Sequence, residues 1–188
     1  MSINRRRFYT AGRLVIILGV ILMVLNGSVA AQESASALAL ANVLASLSVV
    51  AVQDLNFGDV LQGVGSITPN NDAANSGIFM IQGEQGAGIS IYISLPEYLS
   101  TATGDDRLIV TFGAADCSID STGNIDPSTF GDGWQDTNPY NIPTGTVVGS
   151  AVPSLTAIFL GGRVTPSIDQ TAGPYSGDIV VTVAYNGS

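Results

Sequence analysis

Histidine and lysine are absent from the 188 residues, cysteine occurs once, and four of the six arginines (Arg5, Arg6, Arg7, Arg13) fall within the first 13 positions. Residues 14–188 therefore carry 2 Arg against 15 acids, a net charge of −13. Each absence removes a class of chemistry. Without imidazole there is no histidine base, proton relay or histidine metal ligand. One thiol cannot build an intrachain disulfide, a zinc–thiolate site or an iron–sulfur centre. Arg107 and Arg163 are too few to neutralise a phosphate backbone, so nucleic acid is not an expected partner. Ser76, Ser94 and Ser154 have no base to activate them. Carboxylates are the one catalytic group left, and the chain is read as non-enzymatic.

The basic start is followed by a short apolar run. Residues 1–13 carry the arginines, residues 14–25 are an apolar stretch of 12, and the small residues of NGSVAA come next. This pattern predicts a secretory signal peptide over residues 1–31, cut after Ala30 or Ala31. Twelve apolar residues are fewer than a bilayer span needs, so no transmembrane segment is expected once the signal is cleaved. The protein is expected to be exported, passing through the periplasm to the cell surface or beyond. Residues 32–188 are enough for one domain with its own core.

Almost no helical period occurs beyond the signal. A helical reading stays open for residues 35–47, rich in Ala and Leu, while residues 47–52 favour a strand. Short runs then recur at residues 54–61, 77–82, 88–95, 107–112, 155–160 and 178–185, each bounded by Gly, Pro, Asn or Ser. In GISIYISLP, Ile89, Ile91, Ile93 and Leu95 face one way and Ser90, Tyr92 and Ser94 the other. In DIVVTVAY the second face is also rather apolar, which predicts cover on both sides. Six to eight such strands with 22 Gly and 8 Pro predict an all-β protein, a β-sandwich in the first instance and a small closed barrel in the second. The segment Gly83-Glu84-Gln85-Gly86-Ala87-Gly88 reads as a hairpin connection. Residues 113–146 show little alternation and form a long excursion, pinned by short elements around Trp134 and Tyr140.

That excursion concentrates acids. Asp116, Asp120, Asp126, Asp132 and Asp136 lie there with Trp134 and Tyr140. A solvated acidic loop is the plain reading; an oxygen-ligand calcium site or a glycan platform built from Asp116, Asp120, Asp132, Trp134 and Asp136 is the functional one. Paired carboxylates beside an aromatic would also suit a glycosidase, but spacing within one loop does not make them converge. No metal site is assigned and no cofactor is expected, calcium being the single candidate ion. Cys117, flanked by Asp116 and Ser118, is expected to have a raised pKa and to be a buried, idle thiol.

Residues 32–43 form an N-terminal extension to a sandwich domain at residues 44–188. The extension has a two-residue rhythm, with Ala35, Ala37, Ala39, Ala41 and Val43 on one side and Ser36, Leu38, Leu40 and Asn42 on the other. Such a segment could tether the domain, form a helix or pair within its own sheet. It could also add a strand to the next subunit, main-chain bonds giving affinity and side-chain pockets specificity. Head-to-tail addition of that kind does not close and builds a filament.

Several strings then gain meaning together: Leu55-Asn56-Phe57-Gly58-Asp59-Val60, the run from Gly77 to Glu84, the run from Ile89 to Pro96, Gly161-Gly162-Arg163, and Ala172-Gly173-Pro174-Tyr175-Ser176-Gly177-Asp178-Ile179 continuing to Tyr185. Over about residues 50–187 the chain resembles a family of secreted Gram-negative domains of unknown function, itself distantly similar to fimbrial subunits and spore-coat-protein-U-like domains. The resemblance implies an immunoglobulin-like, pilin-like β-sandwich left incomplete and finished by a donated N-terminal strand. It implies a non-catalytic structural subunit of an extracellular fibre, pilus or coat, whose partners are copies of itself or related subunits, a periplasmic chaperone and an outer-membrane assembly protein. The chain departs from many pilins in lacking a disulfide and in its long acidic excursion. On this reading Leu38, Leu40, Asn42 and Leu44 are donor side chains, and Val49, Ile179, Val181, Val183 and Tyr185 line the receiving groove. The alternative is a secreted or surface-tethered binding module for glycan or calcium.

Overall fold

The computed structural model describes residues 37–129, 131, 133–149 and 154–187. The predicted signal at residues 1–31 lies outside them. By compactness the chain divides into Met1–Ala41 and Asn42–Ser188. Of the first unit, residues 37–41 are described; they have no regular secondary structure and are exposed. The helix considered for residues 35–47 is absent from the described part of that span.

The second unit is all-β. Its first sheet is built outward from β9 (Leu155–Leu160), all six of whose residues are buried. LTAIFL offers an apolar or small side chain on both faces, which suits a strand covered on both sides. β3 (Gly77–Gln82) and β7 (Cys117–Asp120) flank it; β1 (Ser48–Gln53) and β8 (Trp134–Thr137) form the edges, in the order β1-β3-β9-β7-β8. All pairs are antiparallel, and in register Phe79, Ile158 and Ile119 lie side by side. A bulge interrupts β1 between Ala51 and Gln53.

The second layer has two parts. One is the antiparallel sheet β2-β10-β6-β5, from β2 (Ser66–Thr68), β10 (Gly162–Thr165), β6 (Arg107–Thr111) and β5 (Tyr98–Ser100). The other is the pair of β4 (Ile89–Ser94) and β11 (Val180–Tyr185). Ile81, Ile158 and Ile119 of the first sheet share one hydrophobic core with Ile89, Ile93, Leu108, Val110 and Val164 of the second layer. The architecture is therefore a sandwich-like packing of antiparallel sheets. Between β9 and β10 the chain passes from one sheet to the other at Gly161, where an added Cβ would fall on the Thr68 carbonyl and 2.5 Å from the Asn70 nitrogen.

Four expectations are corrected. Residues 54–61 are not a strand; the strand is β1 just upstream, and residues 54–61 run irregularly along its end. Gly83–Gly88 is not a hairpin, because β3 pairs with β1 and β9 while β4 pairs with β11, so this connection crosses between layers. The excursion at residues 113–146 is a loop of solvated acids only in part, with Asp126 and Asp136 exposed. It supplies β7 and β8, and Asp120 within it is fully buried. The second face of β11 is uncovered: Val180, Thr182 and Ala184 are exposed.

Candidate functional site

The core is incompletely closed along one seam. β1 pairs with β3 alone and β11 with β4 alone among the described residues, so each leaves a strand edge unpaired. Neither strand has a fully buried residue. Val49, Ile179, Val181, Val183 and Tyr185, the predicted groove residues, all pack against the core but remain half-buried. Leu47 and Tyr185 meet at one end of the seam, on either side of Gly83. At the other end the strands give way to a cavity of about 930 Å³ between residues 51–62 and residues 166–179. Its lining includes Phe79, Leu108, Val110 and Phe112, which belong to the core itself, and Ile179. Three carboxylates, Asp54, Asp59 and Asp178, also line it, with no basic residue.

A polar network fixes one wall. Thr171 N–H and the Tyr175 hydroxyl each donate to Asp106 Oδ2 at 2.8 Å. The Gln170 amide donates to the Tyr175 hydroxyl (3.0 Å) and the Arg107 carbonyl (3.2 Å), and Gln62 donates to the Gln170 carbonyl. Hydrogen bonds from Thr171, side chain and backbone, and then from Tyr175, hold the Asp106 carboxyl well below the usual carboxylate range. Ser176 adds a two-way backbone bridge to Ser100 at the end of β5.

At the narrow end a second network ties down the base of the extension. The Tyr185 hydroxyl donates to the Ala45 carbonyl (2.9 Å) and accepts from Glu84 N–H (2.7 Å), while Ala45 N–H donates to Glu84 Oε2 (3.1 Å). Upstream of Ala45 the predicted donor residues are exposed: Leu38 by 88%, Leu40 by 89% and Leu44 by 39%, with Asn42 between them.

The excursion residues form a different surface. Asp132 lies outside the described residues. Asp116 turns back to accept from Gly113 N–H (2.6 Å). Asp136 Oδ1 accepts from the Ser118 hydroxyl (2.7 Å) and from Trp134 Nε1 (2.9 Å), and the Trp134 ring stacks on Phe159 with centroids 5.0 Å apart. Asp120 Oδ1 accepts from Thr122 N–H and hydroxyl, whereas its Oδ2 has no partner among the described residues. Asp120, Trp134 and Asp136 thus sit on neighbouring β7 and β8 positions, without Asp116, and no group of three potential metal-binding side chains occurs among the described residues. Burial pushes the Cys117 thiol up to about 12, with Asp136 adding repulsion; burial outweighs the neighbouring acids that the sequence suggested.

Sequence reasoning missed both networks and the outer half of the groove. Tyr175 stands in a Gly-Pro-rich run that reads only as a turn, and Asp106 is 69 residues away. No spacing rule connects them. Compared with protein-family models, curated proteins and solved structures, the chain matches none.

Proposed function

We propose that this chain is a structural subunit of an extracellular fibre, pilus or surface coat, with an immunoglobulin-like, pilin-like sandwich completed by a strand donated from the N-terminal extension of another copy. The observation that carries the reading is the open seam: β1 and β11 each leave an edge unpaired, and at its end a cavity reaches the core residues Phe79, Leu108, Val110 and Phe112. The exposed residues 37–44, with Leu38, Leu40, Asn42 and Leu44 at alternate positions, are the matching part. Burying Leu38 and Leu40 would contribute roughly 1.5–3 kcal/mol each, beside the main-chain bonds a new strand makes. Copies of the chain or related subunits are the partners. A periplasmic chaperone and an outer-membrane assembly protein would cover the seam before assembly, and the segment at residues 1–31 would direct export.

Electrophoresis in SDS of natively processed protein, unheated and boiled, tests this. A ladder that survives cold SDS and reduction but collapses on boiling is the expected result, and replacing Leu38 and Leu40 by Asp should abolish it. Monomer in every lane would overturn the reading. The second reading, a glycan-binding module, rests on Trp134 stacked over Phe159 with its Nε1 held by Asp136. It would gain if Trp134→Ala abolished glycan binding while the leucine changes left that binding intact.

A further inference from the structure

We infer that Tyr185 and Glu84 act as a stop that directs the extension into another copy's groove by preventing it from folding back along its own β1. The inference deepens the donor-strand reading and rests on it. Ala45 lies three residues before β1, and both its backbone groups are taken: its N–H by Glu84 Oε2 and its C=O by the Tyr185 hydroxyl. The Tyr185 hydroxyl in turn accepts Glu84 N–H, so three bonds join the base of the extension, the β3–β4 connection and the end of β11 into one ring. To enter its own seam the extension would have to reverse direction within residues 44–47 and run back beside β1. That reversal needs the backbone of Ala45 to rotate, which breaks two of the three bonds.

Local sequence reinforces the stop. No glycine or proline occurs between Gly27 and Gly58, so the reversal would have to be made without the two residues that most readily form tight turns. Gly83 is matched to the ring from the other side. A Cβ there would come within 2.6 Å of the Tyr185 hydroxyl and 2.8 Å of Leu47 Cδ1, so any larger residue would displace the tyrosine. The tyrosine is thus a positioning residue: through its bonds to the Ala45 carbonyl and Glu84 N–H it sets which copy the donor can reach.

The test uses the full chain carrying Leu40→Cys and Ile179→Cys, with buried Cys117 left in place, oxidised at several protein concentrations. With Tyr185 present, the disulfides form between copies and give a ladder on non-reducing gels. In Tyr185→Phe, which keeps the ring and removes the hydroxyl, intramolecular cross-links should rise about fivefold relative to intermolecular ones, as expected for the loss of one of the two hydrogen bonds that the reversal must break. That fraction should not change on dilution. Glu84→Ala, which removes only the bond to Ala45 N–H, should move the ratio the same way by a comparable factor and guards against misfolding of the tyrosine variant. An unchanged ratio in both variants overturns the inference while leaving donor-strand assembly standing. Absence of any cross-link between positions 40 and 179, together with absence of a cold-SDS ladder, overturns the donor-strand reading and the inference with it.

Discussion

Asp106 shows how one half-buried carboxylate can hold a groove wall in place. Its depressed pKa means that the folded state binds the charged form more favourably than the unfolded chain does. The stability this gives is complete above the ordinary value of 3.8 and is lost as pH falls through the lower folded value. Asp72, Asp126 and Asp169 are lowered in the same direction by their own local hydrogen bonds. Protection of the Thr171 amide against hydrogen exchange should therefore be high at neutral pH and begin to fall below about pH 4. In Asp106→Asn, that protection should be low already at neutral pH and nearly flat below it. Equal protection in the two proteins would mean that packing, not the carboxylate, holds the wall.

Among the elements, β9 and the step from it to β10 organise the sandwich. β9 is the central strand of the first sheet and β10 lies in the second, and a single glycine makes the crossing. Gly161 is required by crowding of backbone atoms: Thr68 and Asn70 occupy the space a side chain would need. Gly161→Ala should destabilise the domain by roughly 2–4 kcal/mol, seen as a lower urea midpoint at unchanged slope. A midpoint within error of the parent would show that the crossing is free to shift. The edge elements behave differently from β9. β1 and β11 carry the same Val-rich pattern, yet no residue of either is fully buried, because each has a neighbour on one side alone.

For the whole molecule, charge would set the conditions of the proposed assembly. Residues 14–188 have a net charge of −13, and Asp54, Asp59 and Asp178 line the open cavity, whereas residues 34–53 carry no charge. On the proposed reading a neutral strand would have to be brought to an acidic groove by an acidic body. The repulsion is screened as the Debye length falls from about 30 Å at 0.01 M salt to about 8 Å at 0.15 M. Assembly followed by light scattering should accelerate severalfold over that range. A rate that falls with salt would require a basic partner surface, which residues 14–188, with Arg107 and Arg163 against 15 acids, do not supply.

The all-β class was legible in the chain alone, because period-two patterns and turn residues are local properties. The extents of β3, β4, β6, β9 and β11 were legible within a residue or two, as was the burial of Cys117. So were the exclusions imposed by missing histidine and lysine. Other features came only from packing across the whole chain: Gly83–Gly88 crosses between layers, Asp120 is buried in a sheet rather than dissolved in a loop, and Asp106 meets Tyr175. The open seam between β1 and β11 belongs to the same group. A half-buried valine and a buried one are identical in sequence. They differ in whether a distant strand arrives to cover them, and which strands become neighbours depends on contacts between residues far apart along the chain.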